Sequence, residues 1–215
     1  ECEGTVVVAN AETCARGRFN RAWLSSPGEN VSFSVLLRPS ASQVNNVNMA
    51  TTLAVLEVLE DFTDLIPTIK WPNDVRIGGR KVCGILVESE LPTNGTPLAI
   101  LGIGLNIDLG DHAPLPETAT SLARESGLDL SGNEISETLL DYLDAVYTLL
   151  ISDMYAVWKE WRGLLDTLGR QVKISWGDTE EHGVANDVDT NGNLILIRSN
   201  GSRVSLPAGE VTIQI

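Results

Sequence analysis

Lys70-Trp71-Pro72-Asn73-Asp74 is followed, seven residues on, by Lys81-Val82-Cys83-Gly84-Ile85-Leu86-Val87-Glu88. Thr68 to Trp71 and Lys81 to Glu88 read as strands, joined through Ile77-Gly78-Gly79-Arg80, whose Gly-Gly pair suits a tight hairpin turn. Two ammonium groups, an amide side chain and a close-approach glycine therefore gather around one strand-turn-strand. Composition alone suggests nothing comparable.

Working outward, Leu98 to Ile107 is apolar on both faces, as a central strand buried on each side would be. It contains Gly102-Ile103-Gly104-Leu105-Asn106. Glycine inside a buried strand costs stability and marks either a bulge or a ligand lying against backbone. Upstream, Thr5 to Ala9 and Val31 to Leu37 read as strands. The segment between them, Thr13-Cys14-Ala15-Arg16-Gly17-Arg18-Phe19-Asn20-Arg21-Ala22-Trp23 and then Ser26-Pro27-Gly28-Glu29-Asn30, is a loop. From Ser42 to Glu60, apolar residues at Val47, Ala50, Thr51, Ala54, Val55, Val58 and Leu59 recur at helical spacing and predict one amphipathic helix on the sheet. Ser136 to Ile151 and Asp153 to Leu168 read as two more helices. After Gly169 the character changes to short strands, Val172 to Trp176, Gly183 to Val188, Leu194 to Arg198, Ser202 to Leu206 and Val211 to Ile215. Asn191-Gly192 and Asn200-Gly201 are hairpin signals between them. The chain thus divides into residues 1–168 and a small β-barrel over 169–215.

With 215 residues, 43% hydrophobic, the chain suits one good-sized domain and an appendage. No apolar run approaches the roughly 18 residues of a membrane span, and no secretory signal opens the chain, so a cytoplasmic protein is expected. Cys2, Cys14 and Cys83 share no metal-ligand spacing, and only His112 and His182 could join them, which argues against a disulfide framework or zinc site. A net charge of −14 repels nucleic acid as a whole. Yet Arg16, Arg18 and Arg21 fall in one short window, and Lys70, Arg76, Arg80 and Lys81 in another. Such clusters either focus a phosphate-bearing substrate or are solvated loops balanced by nearby acids. Cys14 and Cys83 adjoin basic residues, but neither has a histidine nearby in sequence, so small-residue packing is the expected role.

The opening stretch resembles the biotin protein ligase signature, Lys-Trp-Pro-Asn-Asp, a hairpin, then Lys-x-x-Gly-Ile-Leu-Val-Glu. The arginine segment is similar to that family's Gln-Thr-x-Gly-Arg-Gly-Arg loop with its Trp and Ser-Pro-x-Gly-x-Asn tail, and Gly102 to Asn106 to its Gly-x-Gly-x-Asn strand. The resemblance covers nearly the whole chain. It implies an α+β fold, a mixed sheet with flanking helices like that of class II aminoacyl-tRNA synthetases, plus a C-terminal Src-homology-3-like β-barrel. It implies ATP and Mg²⁺, biotin as substrate, biotinyl-adenylate as intermediate, and a lysine of a carboxylase's biotin carboxyl carrier domain as acceptor. No nucleic acid or membrane partner is expected on this chain, and a homodimer is compatible with it. By the same resemblance Lys81 reaches the substrate carboxylate and α-phosphate and, with Arg18, is catalytic. Glu12, Arg16, Gly17, Arg18, Gly84, Leu86, Gly102 and Gly104 surround biotin and its adenylate. Trp23, Asn73 and Asn106 meet the nucleotide, and no protein side chain is assigned to metal.

Two positions depart from the pattern. Glu12 stands for glutamine and Ala15 for the first glycine. A buried, ionised Glu12 could not donate to a ureido group, so weakened biotin binding or a protonated Glu12 is expected. The family's Ser-Thr-Asn segment has no counterpart ahead of these residues, which implies a fragment or an incomplete pocket. A lipoate or octanoate ligase, with the same adenylation chemistry, and a non-catalytic biotin-binding module are the rival readings.

Overall fold

The computed structural model describes residues 1–23, 30–90, 95, 97–109, 116–176, 179–207 and 210–213. The larger sheet comprises β1 (Val6–Val8), β2 (Asn30–Leu37), β3 (Pro67–Lys70), β4 (Asp74–Ile77), β5 (Arg80–Glu90) and β6 (Leu98–Asn106). Their spatial order is β1-β2-β6-β5-β4-β3. Pairings between these strands are antiparallel, and parallel pairing enters through isolated bridges of Ile69 with Leu165 and Lys81 with Ala119. The expected strand-turn-strand is therefore three strands. Asp-Val-Arg-Ile, four residues long, hides β4 inside the motif. Gly78 and Gly79 take φ of 55° and 81°, the left-handed pair that a two-residue turn between twisted strands requires.

The helices are α1 (Val47–Phe62), α2 (Leu122–Ser126), α3 (Gly132–Ser152) and α4 (Met154–Gly163). Every apolar position predicted for α1 is buried, but so are Met49, Thr52, Leu53 and Leu56. The helix is nearly enclosed because β3, β4 and β5 cover one side while α3 and α4 cover another. Its threonines survive burial because their hydroxyls donate to carbonyls one turn back, Thr51 to Val47 at 2.8 Å and Thr52 to Met49 at 2.8 Å. Helix α3 starts four residues before the predicted Ser136, where the Ser131 hydroxyl accepts from the Glu134 amide at 3.3 Å. Helix α4 stops at Gly163, short of the predicted Leu168. The following residues instead run beside β3, with the Trp71 amide donating to Thr167 Oγ1 at 2.9 Å.

The second sheet, β7 (Gln171–Trp176), β8 (Thr179–Val188), β9 (Leu194–Ile197), β10 (Arg203–Leu206) and β11 (Glu210–Ile213), has the order β10-β9-β8-β7-β11. It is the small Src-homology-3-like barrel. Its Asn191-Gly192 turn docks between the turn after β3 and the start of α1. Trp71, 1% exposed, donates Nε1–H to the Gly192 carbonyl at 2.8 Å, and Asn46 donates to the Thr190 carbonyl at 2.8 Å. No helix among the described residues is long and apolar enough to cross a membrane.

Candidate active site

Cross-strand register decides which side chains share the face of the larger sheet opposite the helices. Lys70, Asp74, Gly84, Gly104 and Ser32 lie in one row across β3, β4, β5, β6 and β2, and Leu86, Gly102 and Ser34 in the next. Their alternates, Cys83, Ile85, Ile103 and Leu105, are buried beneath the helices. Strand β6 is thus packed on one face only, against the expectation of burial on both, and Ile100 on its open face is 44% exposed. Simple alternation from Gly84 would turn Lys81 toward the helices. The ladder slips at Val75/Arg76, so that Arg76 faces Lys81 and Val82 is the extra, fully buried residue. This bulge re-aims Lys81 into the open face.

A cavity of about 580 Å³ lies over the glycine-bearing floor, within the usual size for small-molecule sites. Lys81, Gly84, Leu86, Gly102, Gly104 and Asn106 line it from β5 and β6. Glu12, Arg16, Gly17, Arg18 and Trp23 line it from the arginine segment, and Asn73 from the turn before β4. All the residues assigned to the site from sequence are therefore brought to one place, whereas Arg76 and Arg80 of the second basic window pair with Asp166 and Glu125. Arg16, Arg18, Arg21, Lys70 and Lys81 outnumber Glu12, Asp74 and Glu88 in the lining, so the cavity is locally cationic on an anionic chain.

The arginine segment is a hairpin, closed by the Arg16–Ala22 bridge and by the Gly17 amide donating to the Arg21 carbonyl at 2.8 Å. Gly17 itself is in extended backbone, and the left-handed conformation falls at Phe19, φ 58°. Arg18 Nη1 reaches Asn73 Oδ1 at 3.4 Å, while the same amide donates to the Ile85 carbonyl at 2.5 Å. Asn73 is thus half structural. Lys81 Nζ lies 2.5 Å from Asp74 Oδ1 and 5.2 Å from the Trp23 ring centroid, so it touches both a counter-charge and a π face.

Trp23 revises the reading of the glycines. A Cβ at Gly84 or Gly104 would come within 2.6 Å of the Trp23 indole, whereas one at Gly102 would meet nothing closer than 3.8 Å. Two of the three glycines thus make room for the chain's own tryptophan. The Trp23 Nε1–H is buried without a partner, as is Asn106 Oδ1. The other end of the Asn106 amide donates to the Thr120 carbonyl at 3.0 Å. Such orphaned groups, each costing about 1–3 kcal/mol, are what a ligand would satisfy.

Glu12 is exposed at the rim, so the cost of burying its charge does not arise. Cys83 is fully buried, and burial pushes its thiol up to about 12, which removes it as a nucleophile and agrees with a packing role. Ser26 to Glu29 and His112 lie outside the described residues. Sequence reasoning missed Asp74 as the partner of Lys81, and Pro116, Thr118, Ala119 and Val211 as lining. Thr118 and Thr120 flank the start of β5 through the Lys81 backbone, at 2.7 and 2.9 Å. No sequence motif marks that segment, and Val211 arrives from the barrel.

The Biotin/lipoate A/B protein ligase family matches residues 2–108, and the Biotin protein ligase C terminal domain matches 167–213. A biotin--[acetyl-CoA-carboxylase] ligase of Mycobacterium tuberculosis is 30% identical over 98% of this chain and 79% of its own length. A bifunctional ligase/repressor BirA of Bacillus spizizenii is 29% identical over 93% of this chain. The chain spans 63% of that relative's length. A biotin protein ligase from Aquifex aeolicus, solved in complex with biotin and ATP, aligns over 100% of this chain and 90% of its own at TM-score 0.82 and 27% identity.

Proposed function

This chain belongs to the biotin protein ligase family, and we propose that it activates biotin with ATP and transfers it to a lysine of a carboxylase's carrier domain. The observation that carries this reading is the entry of Arg18 and Lys81 into one glycine-floored cavity. In the first step a carboxylate oxygen of biotin attacks the α-phosphorus of ATP, the bond to pyrophosphate breaks, and biotinyl-adenylate forms. Lys81 offsets charge at the α-phosphate. One ammonium about 4 Å from an anionic oxygen gains roughly 4 kcal/mol at an effective dielectric near 20. In the second step the neutral amine of the acceptor lysine attacks the acyl carbon, AMP leaves, and the amine loses a proton.

Arg18 and the hairpin shield the adenylate from water, while Trp23, Asn73 and Asn106 serve the nucleotide side. Glu12, Arg16, Gly17, Leu86 and Gly102 enclose the biotinyl part, and Gly84 and Gly104 seat the Trp23 indole. Among the described residues no cluster of three or more His, Cys, Asp or Glu could hold a metal. Mg²⁺ would be held chiefly by phosphates and water, with Asp74, 2.5 Å from Lys81 Nζ, the carboxylate beside it. Bound Mg²⁺ would neutralise phosphate charge. Residues 1–168 form the catalytic unit and 169–215 a cap that adds Val211 to the wall. Such a reaction belongs in the cytoplasm.

Biotin-dependent pyrophosphate release from ATP tests the reading, and its absence would leave a non-catalytic binding module. The Biotin/lipoate family match motivates a lipoate or octanoate ligase as second reading. Labelled acids offered with an acceptor domain separate them, and only biotin is expected to be incorporated.

A further inference from the structure

Arg16 and Arg18 flank an extended Gly17, so their side chains leave the hairpin on the same side, yet they reach different partners. Arg18 goes to Asn73, whereas Arg16 Nη2 lies 3.0 Å from both carboxylate oxygens of Glu88, a residue 72 positions away on β5. Glu88 sits on the cavity face, opposite Ile100 of β6. A carboxylate at the mouth of an anion-accepting cavity repels a phosphate-bearing ligand unless a cation claims it. The hairpin, moreover, has little apolar anchorage at its tip. Phe19 is 56% exposed, and a gap of about 160 Å³, lined by Arg16, Gly17, Arg18 and Phe19 on one side and Leu86 and Glu88 on the other, separates it from the strand.

We propose that Glu88 is a positioning residue of this site. It holds Arg16 with both oxygens across that gap, and through Arg16 keeps the hairpin over the cavity with Arg18 aimed at the phosphate. This rests on the adenylation reading above. The two side chains are 58% and 49% exposed, so the pair has the modest strength of a surface ion pair and its loss loosens the hairpin without unfolding the chain.

The test uses the full chain and the variants Glu88→Gln, Glu88→Asp, Arg16→Glu and the charge swap Arg16→Glu with Glu88→Arg. Glu88→Gln is expected to raise KM for ATP, hasten escape of biotinyl-adenylate in a chase, and accelerate tryptic cleavage after Arg21, each by about two- to fivefold. Its kcat and Tm should stay near wild type. Glu88→Asp should fall between, and the swap should recover most of what Arg16→Glu loses. Unchanged KM, escape and cleavage in Glu88→Gln, or a swap no better than Arg16→Glu, would overturn the proposal. Tryptic cleavage needs no turnover. If the wild type releases no pyrophosphate, the functional reading fails, and faster cleavage of Glu88→Gln still supports the latch while unchanged cleavage overturns it.

Discussion

Lys81 owes its aim to a single extra residue. With Val82 bulged out of the ladder and buried, the ammonium lies over the floor beside Asp74 and Trp23. Lys81→Ala should lower the rate of biotin-dependent pyrophosphate release by about 10²–10³-fold with little change in Tm, as expected of a charge that acts mainly on the transition state. The glycines separate into two kinds. Gly104→Ala must displace the Trp23 indole and should change Trp fluorescence and lower stability, whereas Gly102→Ala meets only ordinary contacts and should spare the fold. If Gly102 faces biotin, its alanine variant weakens biotin binding in calorimetry while leaving the fluorescence alone. The thiols offer a simple check. Cys2 and Cys14 are exposed and should react with a disulfide reagent in the native chain, while Cys83, buried and with its thiol pushed up to about 12, should react only on unfolding. These residues were visible in the sequence as types at fixed spacing. Their orientation was not, because a bulge has no compositional signature and only a registered ladder reveals it.

Among elements, the Gly-Gly turn was legible, since its left-handed positions fall on glycines, whereas the arginine segment read only as a loop because the left-handed position of its hairpin falls on Phe19. Strand β4 was not legible, because four alternating residues beside a turn carry too little periodicity. Helix α1 was found from its spacing, but its near-complete enclosure depends on α3 and α4, which start 85 and 107 residues after it in the chain. The join of α4 to β8 is likewise tertiary. Arg162 Nε lies 2.6 Å from Asp187 Oδ1, and this hydrogen bond holds the Asp187 carboxyl below its ordinary value. A lowered carboxylate contributes stability that is present above the unfolded value, about 3.9, and lost as pH falls through the folded one. Asp187→Asn should therefore have a lower Tm than wild type near pH 7, and the difference should shrink as pH drops below about 4. A gap that persists in acid would mean that the ion pair is not its source.

At the scale of the whole molecule, the presence of a second, all-β region was readable because the period of hydrophobicity changes from helical to alternating after Gly169, whereas the fold class came with the family resemblance. The docking of that region was not readable. It depends on Trp71 meeting the Gly192 carbonyl and Asn46 meeting Thr190, contacts more than 120 residues apart that no local pattern encodes. Strand β11 brings Val211 to the cavity wall, so the barrel helps shape the site. The central claim is that hairpin and floor serve one anion. Isothermal titration of a non-hydrolysable biotinyl-adenylate analogue into wild type, Arg18→Ala, Lys81→Ala and the double variant tests it most directly. One site per chain is expected, each single variant weaker by about 10-fold or more, and the double variant weaker by less than the product, as groups sharing a ligand charge are coupled. Wild-type affinity in either single variant would contradict a shared anion site.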